Sequence, residues 1–464
     1  KIMKSDLNNL IIDYFPSPNG DNEELLKLLN QTSKIICDWF SVSEKLSPLP
    51  QNKIKIISEP SEFGCEIKVL LDDINSLIYS SFNPSHPGSL ANLDPPPLTI
   101  SIIGDLIAGA LNNNLLAEEL SPSISIIEND LCKWFANEVG FGNSSGGIAA
   151  SGGTLNNLNA LACAKFNSGL TCDPEASFII SEDAHISFKK CARIIGVNDE
   201  NLISIETDNY GKMDISQLNN EIRKSKLLGK KLFSVVATFG TTIRGSIDPI
   251  YEIGNICKDN NIWLHIDGSI GGIFAISNYK FHNIKEIDNL NIANSITINP
   301  QKILGITKTS SLLLVDDMNK LKKAFYTGLP YIDSSDDVLN RGELGVQGSR
   351  PAEIIKLWLG LKFLGKDGID NILSSSIRKK FLFENILDKN KFYVYSGSLH
   401  IISFEPKNMN TNQINTWSLK LKKILLENKI MISRPLHKNR YILRVVFGNF
   451  NTKESHIIDL ANFI

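Results

Sequence analysis

The chain has 464 residues, 42% of them apolar and 21% charged, a length that one small core does not organise, so two or three domains are expected. Its 48 Lys and Arg face 50 Asp and Glu, and a formal charge of -2 excludes a polybasic nucleic-acid binder. The 7 Cys are odd in number and lack metal-knuckle spacing, which excludes a disulfide-stapled scaffold and reads as reduced thiols in a cytoplasmic protein.

Residues 1 to about 80 read as helical. Leu25, Leu26, Leu28, Leu29, Ile35, Ile36 and Phe40 fall at mixed helical spacing. The run Ser47-Pro48-Leu49-Pro50-Gln51-Asn52 is a linker, and Pro95-Pro96-Pro97 requires a loop because it continues neither a helix nor a central strand. The most apolar stretch, Leu98 to Leu116, carries Asp105 and three consecutive Asn and is a poor membrane span. No basic region followed by an apolar run opens the chain at Lys1, so no secretory signal is expected. A helix follows with Ser121 as its cap, Pro122 at its first position, and a stripe of Ile124, Ile127, Leu131, Trp134 and Phe135 that stops near Gly140.

From about 145 to 315 the pattern alternates between strand and helix. Apolar runs at 176–181, 232–237, 262–267, 295–299 and 310–315 predict strands, and 214–224 and 250–260 predict helices between them. Near-continuous apolar strands belong to a sheet covered on both faces, so an α/β domain with a mostly parallel central sheet flanked by helices is expected, with ligands at the carboxyl ends of the strands. A helix is predicted from about 351 to 364. Strands near 392–404 and 441–447 suggest a smaller C-terminal α+β domain. The expected organisation is a helical segment 1–85, a large domain 86–365 and a small domain 366–464.

Four motifs carry candidate chemistry, each with a plain structural alternative. Ser151-Gly152-Gly153-Thr154 opens a helix, either as an anion cradle of backbone N–H groups or as a tight turn. Asp267 closes the strand before Gly268; it holds a protonated ring nitrogen, binds magnesium or caps a helix. Lys302 lies between a buried strand and an apolar turn, as an amine with a depressed pKa suited to carbonyl chemistry or as a solvated loop lysine. His185 follows a short strand, as a ring stacked on a cofactor or as an ordinary buried histidine. The 7 His form no zinc-ligand spacing. An aromatic aldehyde bearing a phosphate would use all four motifs at once, which points to pyridoxal 5'-phosphate.

With that cofactor in view, the chain from about residue 75 onward resembles the group II pyridoxal-phosphate-dependent amino acid decarboxylases, which include glutamate, aromatic amino acid and 2,4-diaminobutyrate decarboxylases. The resemblance rests on ordered motifs: His86-Pro87, Ser121-Pro122 with Glu128, Ser151–Asn157, Asp183-Ala184-His185, Gly240-Thr241-Thr242 with Asp248, His265-Ile266-Asp267, Asn299-Pro300-Gln301-Lys302, Gly348-Ser349-Arg350 and Leu443-Arg444. It implies the aspartate aminotransferase type of fold, a homodimer with shared active sites, and a carboxy-lyase that converts an L-amino acid to its amine and carbon dioxide. It implies further that Lys302 forms the imine with the cofactor, Asp267 pairs with its ring nitrogen and His185 stacks over the ring. Gly153 and Thr154 match the phosphate turn, and Thr242, Asp248, Asn299, Gln301 and Gly348 match residues lining or bracing the cofactor. Arg444 matches the clamp on the substrate α-carboxylate, and Tyr331 matches the loop tyrosine that protonates the α-carbon. Gln301 replaces the family's usual His, and Ser269 its usual Ala. Asn92, in a segment without large aromatic residues, matches a substrate-side position. It leans toward a small polar substrate such as glutamate, aspartate or 2,4-diaminobutyrate, with an aromatic substrate or aldehyde-forming chemistry as the alternative.

Overall fold

Residues 15–51, 54, 59–60, 62–279, 281, 283–330 and 340–464 are described by the structure, a computed structural model. They belong to two units, Lys1–His86 and Pro87–Ile464. The first holds α1 (Glu23–Val42) and α2 (Ile67–Tyr79), two amphipathic helices that pack on each other.

The second unit opens with α3 (Thr99–Leu111) and α4 (Pro122–Glu138). Pro122 occupies the first position of α4, as its sequence predicts, and Gly140 follows the helix with φ +84°. Ser121 stands at the N-cap position but makes no cap bond; its backbone is turned to φ -160°, ψ 61°, and its hydroxyl is buried without a partner. The main sheet has seven strands: β1 (Gly146–Ala150), β2 (Ala176–Ser181), β3 (Leu202–Ile205), β4 (Lys231–Thr238), β5 (Trp263–Gly268), β6 (Ser295–Ile298) and β7 (Ser311–Val315). Their order is β1-β7-β6-β5-β4-β2-β3. Strands β2 to β6 pair in parallel, and β7 runs antiparallel to both β6 and β1. Helices α5 (Gly153–Asn167), α6 (Ser187–Ile194), α7 (Ile215–Leu227), α8 (Ile250–Asp259) and α9 (Met318–Phe325) flank it.

Both faces of the sheet are covered, which explains the near-continuous apolar runs. Along β7, Leu312 and Leu314 enter one core, and Leu313 and Val315 enter the other. Two strands, β1 and β3, lie outside the five runs singled out above. β1 reads Gly-Gly-Ile-Ala-Ala and has no strand propensity of its own; its Gly147 is required because a Cβ there would strike the Leu313 carbonyl of β7.

The predicted helix at 351–364 begins at Ile354 and belongs to α10 (Ile354–Ile386), which is broken at Gly365 (φ +59°, ψ -178°) and then resumes. A three-stranded antiparallel sheet of β8 (Phe392–Ser396), β9 (Ile401–Pro406) and β12 (Leu443–Val446) follows in the order β12-β9-β8. The short pair β10 (Leu436–His437) and β11 (Arg440–Tyr441), with helices α11 (Thr411–Glu427) and α12 (Glu454–Asn462), completes the chain. Phe383, Phe404 and Phe447 centre a third core there. Among the described residues no helix is long and apolar enough to cross a membrane, and no cluster of side chains is suited to a metal ion.

Candidate active site

Strands β2, β4, β5 and β6 deliver their carboxyl ends to one cavity of about 260 Å³. Asp183 and His185 follow β2, Thr238 ends β4, and Asp267 lies near the end of β5. Asn299, Gln301 and Lys302 follow β6, and the turn Ser151–Thr154 joins β1 to α5. This convergence is the geometric consequence of parallel strands ending on one edge of a sheet.

Lys302 lines the cavity, and among the described residues its amine has no hydrogen bond or ion pair. Removal from water pushes its pKa down to about 8, a trend strengthened by Arg444 and opposed by the carboxylates of Asp267 and Asp94. Asp267 is only 4% exposed. Its Oδ1 accepts from the Ser269 N–H at 3.1 Å and its Oδ2 from Asn157 Nδ2 at 3.2 Å. Burial opposes its ionisation, yet Lys302 and the Ser269 hydrogen bond hold its carboxyl below the usual range. His185 takes a hydrogen bond from the Ser187 N–H on Nδ1 at 3.2 Å, with the Ser187 hydroxyl 2.8 Å from the same atom. Burial lowers its pKa, so the ring is neutral with its proton on Nε2.

The turn before α5 is an anion cradle. Gly152 adopts φ +97°, open only to glycine, and turns the chain into the helix. Gly153 and Thr154, whose amides are the first two of α5 and precede the helical hydrogen bonds that start at Leu155, line the cavity. A Cβ on Gly153 would stand 2.7 Å from Asn299 Nδ2 and 2.9 Å from Ser269 Oγ, so only glycine leaves this space clear. Asn299 Oδ1 accepts from Ser311 Oγ at 2.5 Å, and Gln301 Oε1 accepts from the Ser310 N–H at 2.7 Å. Each amide oxygen is thereby committed to the protein, and each NH₂ group is left to donate. Thr154 adds its hydroxyl.

Arg444 lies beside this cavity rather than in its lining. Its Nε donates to Ser433 Oγ at 2.8 Å, Nη1 to the Thr242 carbonyl at 2.7 Å, and Nη2 to the Ala91 carbonyl at 2.9 Å. These acceptors are neutral, so among the described residues this largely buried cation has no counter-charge, and burial lowers its pKa. Asn92 follows Ala91 directly and is exposed. Thr242 lines the cavity and connects the two places.

A match to the pyridoxal-dependent decarboxylase conserved domain covers residues 50–405. The chain belongs to the pyridoxal-dependent decarboxylase family. Its relatives include an acidic amino acid decarboxylase (GADL1) of Xenopus tropicalis, 31% identical over 384 residues that make up 78% of this chain and 73% of that protein. An aromatic-L-amino-acid decarboxylase of Bacillus atrophaeus is 28% identical over 94% of each chain. The crystal structure of mouse CSAD superposes with a TM-score of 0.88 at 23% identity, covering 96% of this chain and 98% of that one. The fold is therefore of the aspartate aminotransferase type, and this decarboxylase family member is a pyridoxal-phosphate-dependent carboxy-lyase acting on an amino acid.

The cavity fits the cofactor by its donor set: a lysine amine with a lowered pKa, an ionised buried acid, a neutral imidazole, and a glycine cradle with uncommitted N–H donors. It gathers Gly153, Thr154, His185, Thr242, Asp267, Asn299, Gln301 and Lys302. Asp248 and Gly348 lie outside its lining. Asp248 is wholly buried, with Oδ1 on the Met213 N–H and Oδ2 on the Thr238 N–H, both at 2.7 Å, so it braces the end of β4. Burial raises its pKa to about 7. Gly348 adjoins Gln347, whose Oε1 accepts from Ser151 Oγ at 3.2 Å. Tyr331 lies outside the described residues.

Sequence reasoning gave no role to Asn157, His265 or Asp183. Asn157 lies one helical turn beyond Gly153, and His265 shares the strand face of Asp267 by the two-residue period, so both were within reach of periodicity. Asp183 lines the cavity with its Oδ2 buried and unpartnered, and burial raises its pKa. Only the tertiary fold reveals that placement.

Proposed function

We propose that this enzyme removes the α-carboxylate of an L-amino acid with a small polar side chain, such as glutamate, aspartate or 2,4-diaminobutyrate. The observation that carries the reading is Arg444, a largely buried guanidinium that among the described residues is bound to neutral oxygens alone and adjoins Asn92 through Ala91. Such a group is a receptor for a planar carboxylate. Asn92 supports a small polar substrate, as does the likeness to an acidic amino acid decarboxylase. An aromatic substrate is the second reading, supported by the Bacillus aromatic-L-amino-acid decarboxylase that matches 94% of both chains.

Pyridoxal phosphate supplies the electron sink for the pair left when the Cα–carboxyl bond breaks. Lys302 holds it through its amine, which a pKa of about 8 keeps partly unprotonated near neutrality. Asp267 would carry the counter-charge for the ring nitrogen, and His185 would cover the ring. Gly153, Thr154, Asn299 and Gln301 would donate to the phosphate. Arg444 orients the carboxylate that leaves, and Tyr331 delivers a proton to the α-carbon. We assign the working unit as a homodimer with shared sites.

The test is a screen of the natural amino acids, with 2,4-diaminobutyrate and cysteine sulfinate, scored for carbon dioxide and amine. Release from acidic or short basic amino acids supports the first reading. Release confined to aromatic amino acids selects the second, and oxo-acid or aldehyde as the main product rejects both.

A further inference from the structure

Behind Asp267 lies a chain of four buried polar side chains. Asn157 Nδ2 is 3.2 Å from Asp267 Oδ2, and Asn157 Oδ1 is 3.1 Å from His265 Nε2. His265 Nδ1 is 2.9 Å from Ser295 Oγ, which is 2.8 Å from Trp263 Nε1. Asn157, His265 and Ser295 are at most 1% exposed, so water does not substitute for any link.

The direction of the bonds follows from the inner end. A carboxylate whose other oxygen takes the Ser269 N–H offers only acceptors, so Asn157 turns its NH₂ to Asp267 and its oxygen to His265. That oxygen only accepts, so a His265 ring proton sits on Nε2. In the neutral ring Nδ1 is then an acceptor, and Ser295 Oγ donates to it while accepting from the indole N–H of Trp263. Turning Asn157 over would set its oxygen against a carboxylate and its NH₂ against the ring N–H, and a charged ring would be buried with only neutral groups at both nitrogens.

We propose that Trp263, Ser295, His265 and Asn157 form a one-way hydrogen-bond relay that holds Asp267 ionised as the counter-charge of the cofactor's ring nitrogen, with His265 locked as the neutral Nε2–H tautomer. This rests on the reading of Asp267 given above. The four are positioning residues that act through Asp267. Burial drives the His265 pKa down to about 4, so the ring stays neutral over the working range. The other ionisable groups facing Asp267 are Lys302, His185 and the buried Cys191 thiol, whose own pKa is pushed up to about 12 first by burial and then by Asp267. The relay thus stabilises a negative charge without placing a second formal positive charge beside the cofactor. Lys302 and His185 remain free for their own contacts.

Two measurements test the relay and one tests its foundation. In protein labelled with ¹⁵N-histidine and free of cofactor, His265 is expected to show the neutral Nε2–H signature at pH values above about 4 while the fold persists. A charged ring near neutrality, or the Nδ1–H form, overturns the relay. For the second, His265→Leu is compared with His265→Gln, whose side-chain NH₂ can take over the bond to the Asn157 oxygen. The Leu variant is expected to raise the dissociation constant for pyridoxal phosphate about tenfold, the size seen when an outer-layer partner is lost at metal sites, and the Gln variant to recover most of it. Equal affinity in wild type and Leu variant, or equal loss in Leu and Gln variants, overturns the relay and leaves Asp267 untouched. If the Leu variant does not fold, the tautomer measurement decides. Asp267→Ala with undiminished cofactor affinity overturns the reading of Asp267 itself; its loss of affinity supports that reading.

Discussion

Glu128 and Arg350 are joined by two parallel hydrogen bonds, Nη1 to Oε2 at 2.7 Å and Nη2 to Oε1 at 2.6 Å, where neither side chain is more than 2% exposed. Arg341 Nε adds a bond to Oε1 at 3.0 Å and donates from Nη2 to the Gly147 carbonyl, and Oε1 also accepts from the Ala149 N–H. One carboxylate thus ties α4 and the segment before α10 to β1, the strand that feeds the Gly152-Gly153 turn. Burial alone would raise the Glu128 pKa, but Arg350 and Arg341 outweigh it and bring it down to about 2. A depressed carboxyl pKa contributes stability above its unfolded value, and that contribution is lost as pH falls through the folded value. Stability should therefore decline between about pH 4.5 and 2 through this group. Glu128→Gln leaves two buried guanidinium groups short of counter-charge and should cost about 3–5 kcal/mol, read from the urea midpoint. Unchanged stability would mean that the triad holds nothing together.

Lys302 makes the most economical test of the site. Among the described residues its amine serves no neighbour, so Lys302→Ala should leave the melting temperature within a few degrees of wild type. Turnover should fall by more than about a thousandfold, as when an enzyme loses its nucleophile. Borohydride treatment of the wild type with cofactor should attach a reduced adduct to Lys302, found by peptide mass mapping and absent from the variant. Near-normal turnover in the variant would remove Lys302 from the chemistry.

Gly153 tests the anion cradle apart from the chemistry. Alanine there would bring its methyl to 2.7 Å from Asn299 Nδ2 and 2.9 Å from Ser269 Oγ, in the space assigned to phosphate. Gly153 has no positive φ, so the backbone tolerates the change. The expected result is a cofactor dissociation constant raised roughly tenfold or more for loss of one or two charged hydrogen bonds, with pyridoxal lacking the phosphate much less affected. Titration of protein fluorescence with both compounds measures it. Equal loss for the two would assign the effect to general distortion.

The legible parts of this sequence were those with their own local signal. The five apolar runs that become β2, β4, β5, β6 and β7 announced themselves because both faces of the sheet are covered. β1 did not, because Gly147 is dictated by the approach of a neighbouring strand rather than by strand propensity. Lys302, Asp267 and the Gly153 turn stood out as costly or permissive residues at strand ends. The partners behind them did not, since an asparagine or a histidine in an apolar context reads the same whether it supports a catalytic acid or fills a core. The relation of Glu128 to Arg350, 222 residues apart, exists only once the sheet has formed.

Arg444 separates substrate binding from cofactor binding. Its three donor atoms bind Ser433, Thr242 and Ala91, which fixes the plane of the guanidinium before any substrate arrives. Lysine keeps the charge but offers neither the plane nor the paired donors. A charged hydrogen bond contributes about 1.5–3 kcal/mol, so Arg444→Lys should lower kcat/KM roughly 10- to 100-fold. If the guanidinium also sets the angle at which the carboxylate leaves, kcat falls along with the rise in KM, whereas a purely binding role moves KM alone. Cofactor affinity should stay within about twofold, because no Arg444 contact reaches the phosphate turn or Asp267. Steady-state kinetics on the best substrate, with cofactor titration alongside, measures all three quantities. Unchanged kcat/KM would show that the α-carboxylate is held elsewhere.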